Sequence, residues 1–151
     1  MELERYGYLI LIAAIFLNAR FFWHRAQPHI AANPELATGY WKLICGFAFW
    51  ANIPPMIMGV GCLLGEVPSM FHFFRSAVNG GPIVLAFWVI VYAEFLLFGY
   101  WAIRWGGAEA LIRHPAIINF QTNSIIRMRW IMAGISLLAI AWNTGLLVWL
   151  A

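Results

Sequence analysis

Residues 82–105 read PIVLAFWVIVYAEFLLFGYWAIRW, and only Glu94 and Arg104 among them carry a charge. A helix needs about 20 mostly apolar residues to cross the hydrocarbon core of a bilayer. Because lipid cannot hydrogen-bond to a free backbone, a stretch this apolar is expected to cross as a helix. The sequence therefore predicts a transmembrane helix here, with Pro82 in its first turn.

Three further apolar stretches have the length that a spanning helix requires. They run over residues 6–23, 41–64 and 130–151. The alternating segments of about ten residues that indicate a transmembrane barrel do not occur in the sequence. The predicted fold is an all-α integral membrane protein, a bundle of four transmembrane helices in one domain covering residues 1–151.

The composition of the whole chain favours the same class. Of its 151 residues, 64% are hydrophobic and 10% are charged, against about 45–50% and 25% in soluble domains. The formal charge of +3 is too small to indicate a nucleic-acid partner. The predicted partners are therefore the lipid bilayer and either further copies of the chain or a larger membrane complex.

The basic residues predict which side each loop faces. Cytoplasmic loops of membrane proteins are enriched in Lys and Arg. The two inner loops are consequently predicted to be cytoplasmic, with both termini on the other side. Seven basic residues lie near the first and third loops and two on the opposite side: Arg20, Arg25, Lys42, Arg104, Arg113, Arg127 and Arg129 against Arg5 and Arg75.

Two loops carry patterns typical of short helices at the membrane surface. On the inner side, residues 109–114 read EALIRH and follow two glycines. On the outer side, Ser69 precedes a run of aromatic residues within 67–74 and is a candidate helix cap. Both segments are predicted as short interfacial helices, because each combines apolar and polar side chains over about two turns.

Glu94 is the residue that most strongly suggests a function. Insertion of a charged group at the centre of a spanning helix costs about 2.5–3.5 kcal/mol. Burial therefore favours the neutral form of the Glu94 carboxyl group. Such a group can bind a proton, a cation or the polar part of a ligand. The alternative is a structural role, in which Glu94 hydrogen-bonds to a neighbouring helix.

The second span has an unusual centre, Asn52-Ile53-Pro54-Pro55. Each proline removes one backbone donor, so Pro54 and Pro55 are predicted to kink the helix. Kinked helices sometimes line binding cavities at mid-membrane, although a kink also arises from packing alone. By depth, Asn52, Glu94 and Asn143 lie within about one helical turn of each other. These three residues form the candidate intramembrane polar site.

The remaining residues do not form a motif for a metal or for hydrolysis. The four histidines lie at span ends or in loops and show no His-x-x-x-His spacing, so no metal is predicted and no cofactor can be identified. No phosphate-binding loop and no Gly-x-Ser-x-Gly sequence occurs.

Three functions agree with these residues. The preferred hypothesis is a non-enzymatic subunit or scaffold that acts through helix–helix contacts. The alternative is a small oligomeric proton-coupled transporter that uses Glu94. The second alternative is a membrane enzyme acting on a lipid or quinone, through Glu94 or through an inner-side group of His24, His29, Glu109 and His114. Acid–base chemistry would require those side chains to converge on one substrate position.

Overall fold

A computed structural model describes residues 2–75, 80–118 and 122–150, and these residues are almost entirely helical. No strand occurs among them, so the all-α prediction is confirmed for this part of the chain. Residue 151, the last of the predicted fourth span, lies outside the described residues. The helices are α1 (Glu2–Ala32), α2 (Ala37–Leu63), α3 (His72–Arg75), α4 (Gly81–Arg104), α5 (Gly107–Arg113) and α6 (Ile125–Leu150).

Four of the described helices, α1, α2, α4 and α6, are each long and apolar enough to cross a membrane. α1 packs along α2, α2 contacts α4, and α4 packs along α6. The apolar side chains on the outer surfaces of these helices stay exposed, from Leu9 on α1 to Trp149 on α6. The described chain therefore has an apolar exterior as well as an apolar interior.

The connection between α1 and α2 is shorter than the predicted loop between residues 23 and 41. α1 continues past Trp23, through Pro28, and ends at Ala32. A single 3-10 turn (Pro34–Leu36) then leads into α2, and the Asn33 side chain caps it by accepting a hydrogen bond from the Glu35 N–H at 3.2 Å. α1 thus continues beyond the predicted span of residues 6–23, because polar residues end an apolar stretch without ending a helix.

The segment after α2 packs back onto the bundle. Phe73, at 0% exposure, lies in a cluster with Val67 and Phe87. Its backbone carbonyl accepts a hydrogen bond of 2.9 Å from the indole N–H of Trp88. The short helix α3 overlaps the region predicted at 67–74, and the backbone carbonyl of Ser69 accepts a hydrogen bond from the His72 N–H.

The other end of the bundle is built around α5. Gly106 has a φ of +76°, a left-handed conformation that glycine adopts without steric cost, and it separates α4 from α5. Gly107 then lies so close to α4 that a Cβ there would be 2.5 Å from the Trp101 ring. α5 covers most of the predicted helix at 109–114. It is linked to α6 by an ion pair between Glu109 and Arg129 at 2.7 Å.

Candidate functional site

Glu94 lies at the middle of α4 and is partly buried. Its Oε1 atom is buried and has no hydrogen-bond partner among the described residues. A buried polar atom without a partner is rare in native structures, because it loses its hydration without compensation. This carboxyl group therefore has an unused capacity to bind a proton or a hydrogen-bonding partner.

The face of α4 that carries Glu94 is the face turned towards α2. Ile83 and Phe87 lie about three and two helical turns before Glu94, on the same stripe of the helix. The Cδ1 atom of Ile83 lies 3.3 Å from the position that a Cβ would take on Gly61 of α2. Tyr92, two residues before Glu94 and so on the other side of α4, bonds instead to Thr144 of α6. Glu94 therefore lies on the stripe of α4 that faces α2 at Ile83, and away from the stripe that contacts α6.

Asn52 is 6% exposed, on the face of α2 that is buried. Its Nδ2 donates to the backbone carbonyl of Ala48, one turn earlier in the same helix, at 2.5 Å. Its Oδ1 is buried and without a partner. Asn52 lies about two turns before Gly59 on the same stripe, and Gly59 packs against Tyr8 of α1. The only hydrogen bond of the Asn52 side chain among the described residues is therefore within α2.

Pro54 and Pro55 lie inside α2, which continues on both sides of them. They remove the backbone donors that would otherwise bond to the carbonyls of Trp50 and Ala51. The Asn52 amide does not compensate for either, since it bonds to the carbonyl of Ala48. Pro55 is buried and Pro54 is half-buried, so the predicted kink would affect the packed face of α2.

Asn143 is half-buried on α6. Its Nδ2 donates to the carbonyl of Ala139 at 2.8 Å, again within its own helix. It lies about two turns after Ser136, and Ser136 Oγ lies 3.1 Å from the position of a Cβ on Gly99. Asn143 therefore belongs to the α4–α6 interface.

Ideal helix spacing, counted from two contacts between helices, gives an approximate level for each residue of the candidate polar site. With a rise of 1.5 Å per residue counted from the contact between Gly61 of α2 and Ile83 of α4, Asn52 and Glu94 lie about 3 Å apart along the helix axes. Counted from the bond between Tyr92 and Thr144, Asn143 lies about 1.5 Å from Glu94. Yet among the described residues no hydrogen bond joins Asn52, Glu94 and Asn143. Asn52 and Asn143 each donate to a carbonyl of their own helix, whereas no hydrogen bond of Glu94 to its own helix occurs in the described part of the chain.

The basic end of the bundle holds a second group of chemically active side chains. His114 is 6% exposed, and its Nδ1 lies 2.7 Å from the carbonyl of Ala110, which assigns the proton to Nδ1. Its ring lies edge-on to Tyr40, with centroids 4.7 Å apart, and the Tyr40 ring is 6.2 Å from His29. The Tyr40 hydroxyl accepts a bond of 3.4 Å from the N–H of Ala116. These contacts fix the loop after α5 against α1 and α2.

Beside this group lies an open cleft of about 450 Å³ between the last turns of α1 and the loop after α5. Of the inner-side residues proposed for an enzyme, His24 and His29 line the cleft, His114 is packed behind it, and Glu109 is paired with Arg129. The four do not converge on one position. In residues 2–75, 80–118 and 122–150 no group of three His, Cys, Asp or Glu side chains is arranged to hold a metal ion.

Sequence reasoning missed two features of these sites. Ser136 is buried against Gly99, and its Oγ has no partner in the described part of the chain. Gly99 was a signal that another helix approaches α4 closely, but the sequence did not indicate that the approaching residue is Ser136 of α6. Arg25 was counted only as an orientation signal, whereas it lines the cleft.

No family model, curated protein or solved structure matches this chain. What the chain does must be inferred from its own residues.

Proposed function

We propose that this chain is an integral membrane protein whose four long helices cross a bilayer, with both termini on the non-cytoplasmic side. Its exposed apolar helices support the membrane placement, since water would solvate such surfaces at high cost. Seven basic residues lie at or near one end of the bundle, where α1 connects to α2 and α4 connects to α6. They support a cytoplasmic placement of that end.

We further propose that it acts as a non-enzymatic subunit that associates through helix contacts with copies of itself or with a larger membrane complex. The observation that carries this proposal is the exposure of α6. Only 11% of its most apolar stretch is buried, the smallest share among the four long helices. Trp149, near its end, is 81% exposed. A helix covered on so little of its surface has a wide face free for a partner helix.

The exposed face of α6 has the side chains that close helix packing requires. Gly134, Ala141 and Gly145 lie on one stripe, with Ala141 about two turns and Gly145 about three turns after Gly134. A Cβ added at Gly134 or at Gly145 would meet no atom within 4 Å. Small residues on one stripe let two helix backbones approach in a membrane, where packing rather than the hydrophobic effect drives association. The stripe supports self-association through α6.

The proposal predicts that Gly145→Leu disrupts assembly without unfolding the chain. A leucine on the stripe separates the helix backbones and removes their packing, so we expect the oligomer to dissociate about tenfold more readily, the effect of roughly 1.4 kcal/mol. The measurement is the oligomer mass in lipid nanodiscs over a range of protein-to-lipid ratios.

The matched control is Gly46→Leu on α2, another glycine with no atom within 4 Å of an added Cβ. It should leave the oligomer intact. If Gly145→Leu and Gly46→Leu assemble alike, or if the parent chain is monomeric and without partners in native membranes, the proposal of a subunit fails.

One observation favours a second function, proton-coupled transport. The Oε1 of Glu94 is buried without a partner among the described residues, and Pro54 and Pro55 interrupt the backbone hydrogen bonds of α2. A carboxyl group in that position can take up and release a proton as its surroundings change. Glu94→Gln keeps the size of the side chain and abolishes the titration. A proton flux in reconstituted vesicles that disappears with Glu94→Gln would favour transport, and an unchanged flux would exclude this use of Glu94.

A further inference from the structure

The cleft at the basic end lies outside both proposed functions. Its lining divides into two walls, one from the last turns of α1 and one from the loop that follows α5. The α1 wall carries the charged and polar groups, and the loop wall is apolar. The lining residues are His24, Arg25, Pro28 and His29 on α1, and Pro115, Ala116 and Ile118 on the loop.

Buried contacts hold the two walls in place. Ala26 of α1, Tyr40 of α2 and Ala116 of the loop form one cluster in which each is nearly inaccessible to solvent. The Tyr40 hydroxyl accepts the hydrogen bond from the Ala116 N–H, and the buried His114 ring packs edge-on against Tyr40. Since both walls rest on this cluster, the cleft is a formed feature of the bundle rather than a gap between mobile loops.

The charge of the cleft favours an anion. The only ion pair in the described part of the chain joins Glu109 to Arg129, so Arg25 has no carboxylate partner there. The guanidinium carbon of Arg25 lies 5.7 Å from the Phe21 ring centroid, a contact that orients the group without neutralising it. The basic end of the bundle carries seven Lys and Arg residues but only two acidic residues, Glu35 and Glu109. The surplus is therefore five positive charges.

The shape and surroundings of the cleft narrow the class of anion. A volume of about 450 Å³ suits a small polar group with part of an apolar chain. Trp23 directly precedes His24 in the chain, and its ring lies 5.7 Å from the ring of Trp41. Tryptophan concentrates at the level of lipid headgroups. Arginine with neighbouring imidazoles is a typical set of donors for phosphate oxygens.

We propose that this cleft binds a phosphate group, with Arg25 as the charged anchor, His24 and His29 as further hydrogen-bond donors, and Ile118 against the apolar part of the ligand. The assignment of the phosphate to a lipid rests on the proposed membrane placement. The proposal that the cleft binds a phosphate group does not depend on that placement.

The test is native mass spectrometry of the full chain released from nanodiscs of phosphatidylcholine containing phosphatidylglycerol. We expect one tightly retained anionic lipid per chain, and a loss of about tenfold in its affinity with Arg25→Gln, the effect of one charge-assisted hydrogen bond. Arg25→Lys should restore much of the binding. The matched control is Arg20→Gln, an exposed arginine on the same helix that does not line the cleft, and it should retain the lipid.

A second arm uses inorganic phosphate alone, measured by calorimetry on the detergent-solubilised chain. Arg25-dependent binding of inorganic phosphate with no retained lipid would assign the cleft to a free phosphate compound. Equal losses from Arg25→Gln and Arg20→Gln, or no Arg25-dependent binding in either arm, would overturn the proposal. Resistance of the chain to extraction from membranes by alkaline carbonate, measured separately, keeps a failure of the cleft distinct from a failure of the membrane placement.

Discussion

Gly39→Ala is expected to destabilise the chain by about 2–3 kcal/mol, the cost of overpacking a well-packed site. A Cβ on Gly39 would clash with Nε2 of His114. The histidine cannot easily move away, because its Nδ1 is bonded to the Ala110 carbonyl and its ring is packed against Tyr40. The change should appear as a lower midpoint of thermal unfolding in detergent micelles.

Two comparisons separate this contact from a general effect of the substitution. Gly46→Ala lies in the same helix with no atom near the added Cβ, so it should gain about 0.5–1 kcal/mol from helix propensity. In the double variant Gly39→Ala with His114→Ala the clash is removed, and the combined loss should be smaller than the sum of the two single losses. A stabilising effect of Gly39→Ala would show that the packing at this end is not as described.

Glu94→Met is expected to stabilise the chain, by about 1–3 kcal/mol, the cost of leaving a buried polar group unpaired. Methionine has nearly the shape of glutamate, so the packing around this position should be kept. The substitution removes the buried Oε1 that has no partner among the described residues. Thermal unfolding of the parent and the variant in the same nanodiscs measures the difference.

Whether Glu94→Met raises or lowers the unfolding midpoint distinguishes a functional role of Glu94 from a structural one. A gain in stability combined with a loss of activity is the pattern of a residue kept for function at a cost to the fold. Glu94→Gln, which keeps a polar group in place, should leave the unfolding midpoint close to that of the parent chain. If Glu94→Met lowers the midpoint, Glu94 has a partner that stabilises the assembled protein, and a structural role is the better account.

The sequence predicted the long helices well because each depends on a local property, the length of an apolar run. The stretch at 82–105 agrees with α4 within one residue at each end. The end of α1 could not be predicted in the same way, since residues 24–32 are polar enough for a loop but still hydrogen-bond as a helix. Only the capped turn after Asn33 ends that helix.

The candidate polar site shows the limit of reasoning from depth. The register of antiparallel helices follows from their loops, so an approximate level for Asn52, Glu94 and Asn143 could be derived. Which way each side chain turns depends on contacts between helices far apart in sequence, such as Gly61 with Ile83 and Tyr92 with Thr144. For the same reason the cleft at the basic end, which joins residues 24–29 to residues 115–118, left no signal in the sequence.

The proposed crossing of a membrane by the four long helices is tested most directly by paired cysteine labelling in spheroplasts of a bacterial expression host. Cys45→Ser and Cys62→Ala remove the natural thiols, and Glu35→Cys or Glu66→Cys then places one exposed thiol at either end of the bundle. The account predicts that a membrane-impermeant maleimide labels the thiol at position 66 in sealed spheroplasts, and the thiol at position 35 only after permeabilisation. Equal labelling of both positions in sealed spheroplasts would contradict it.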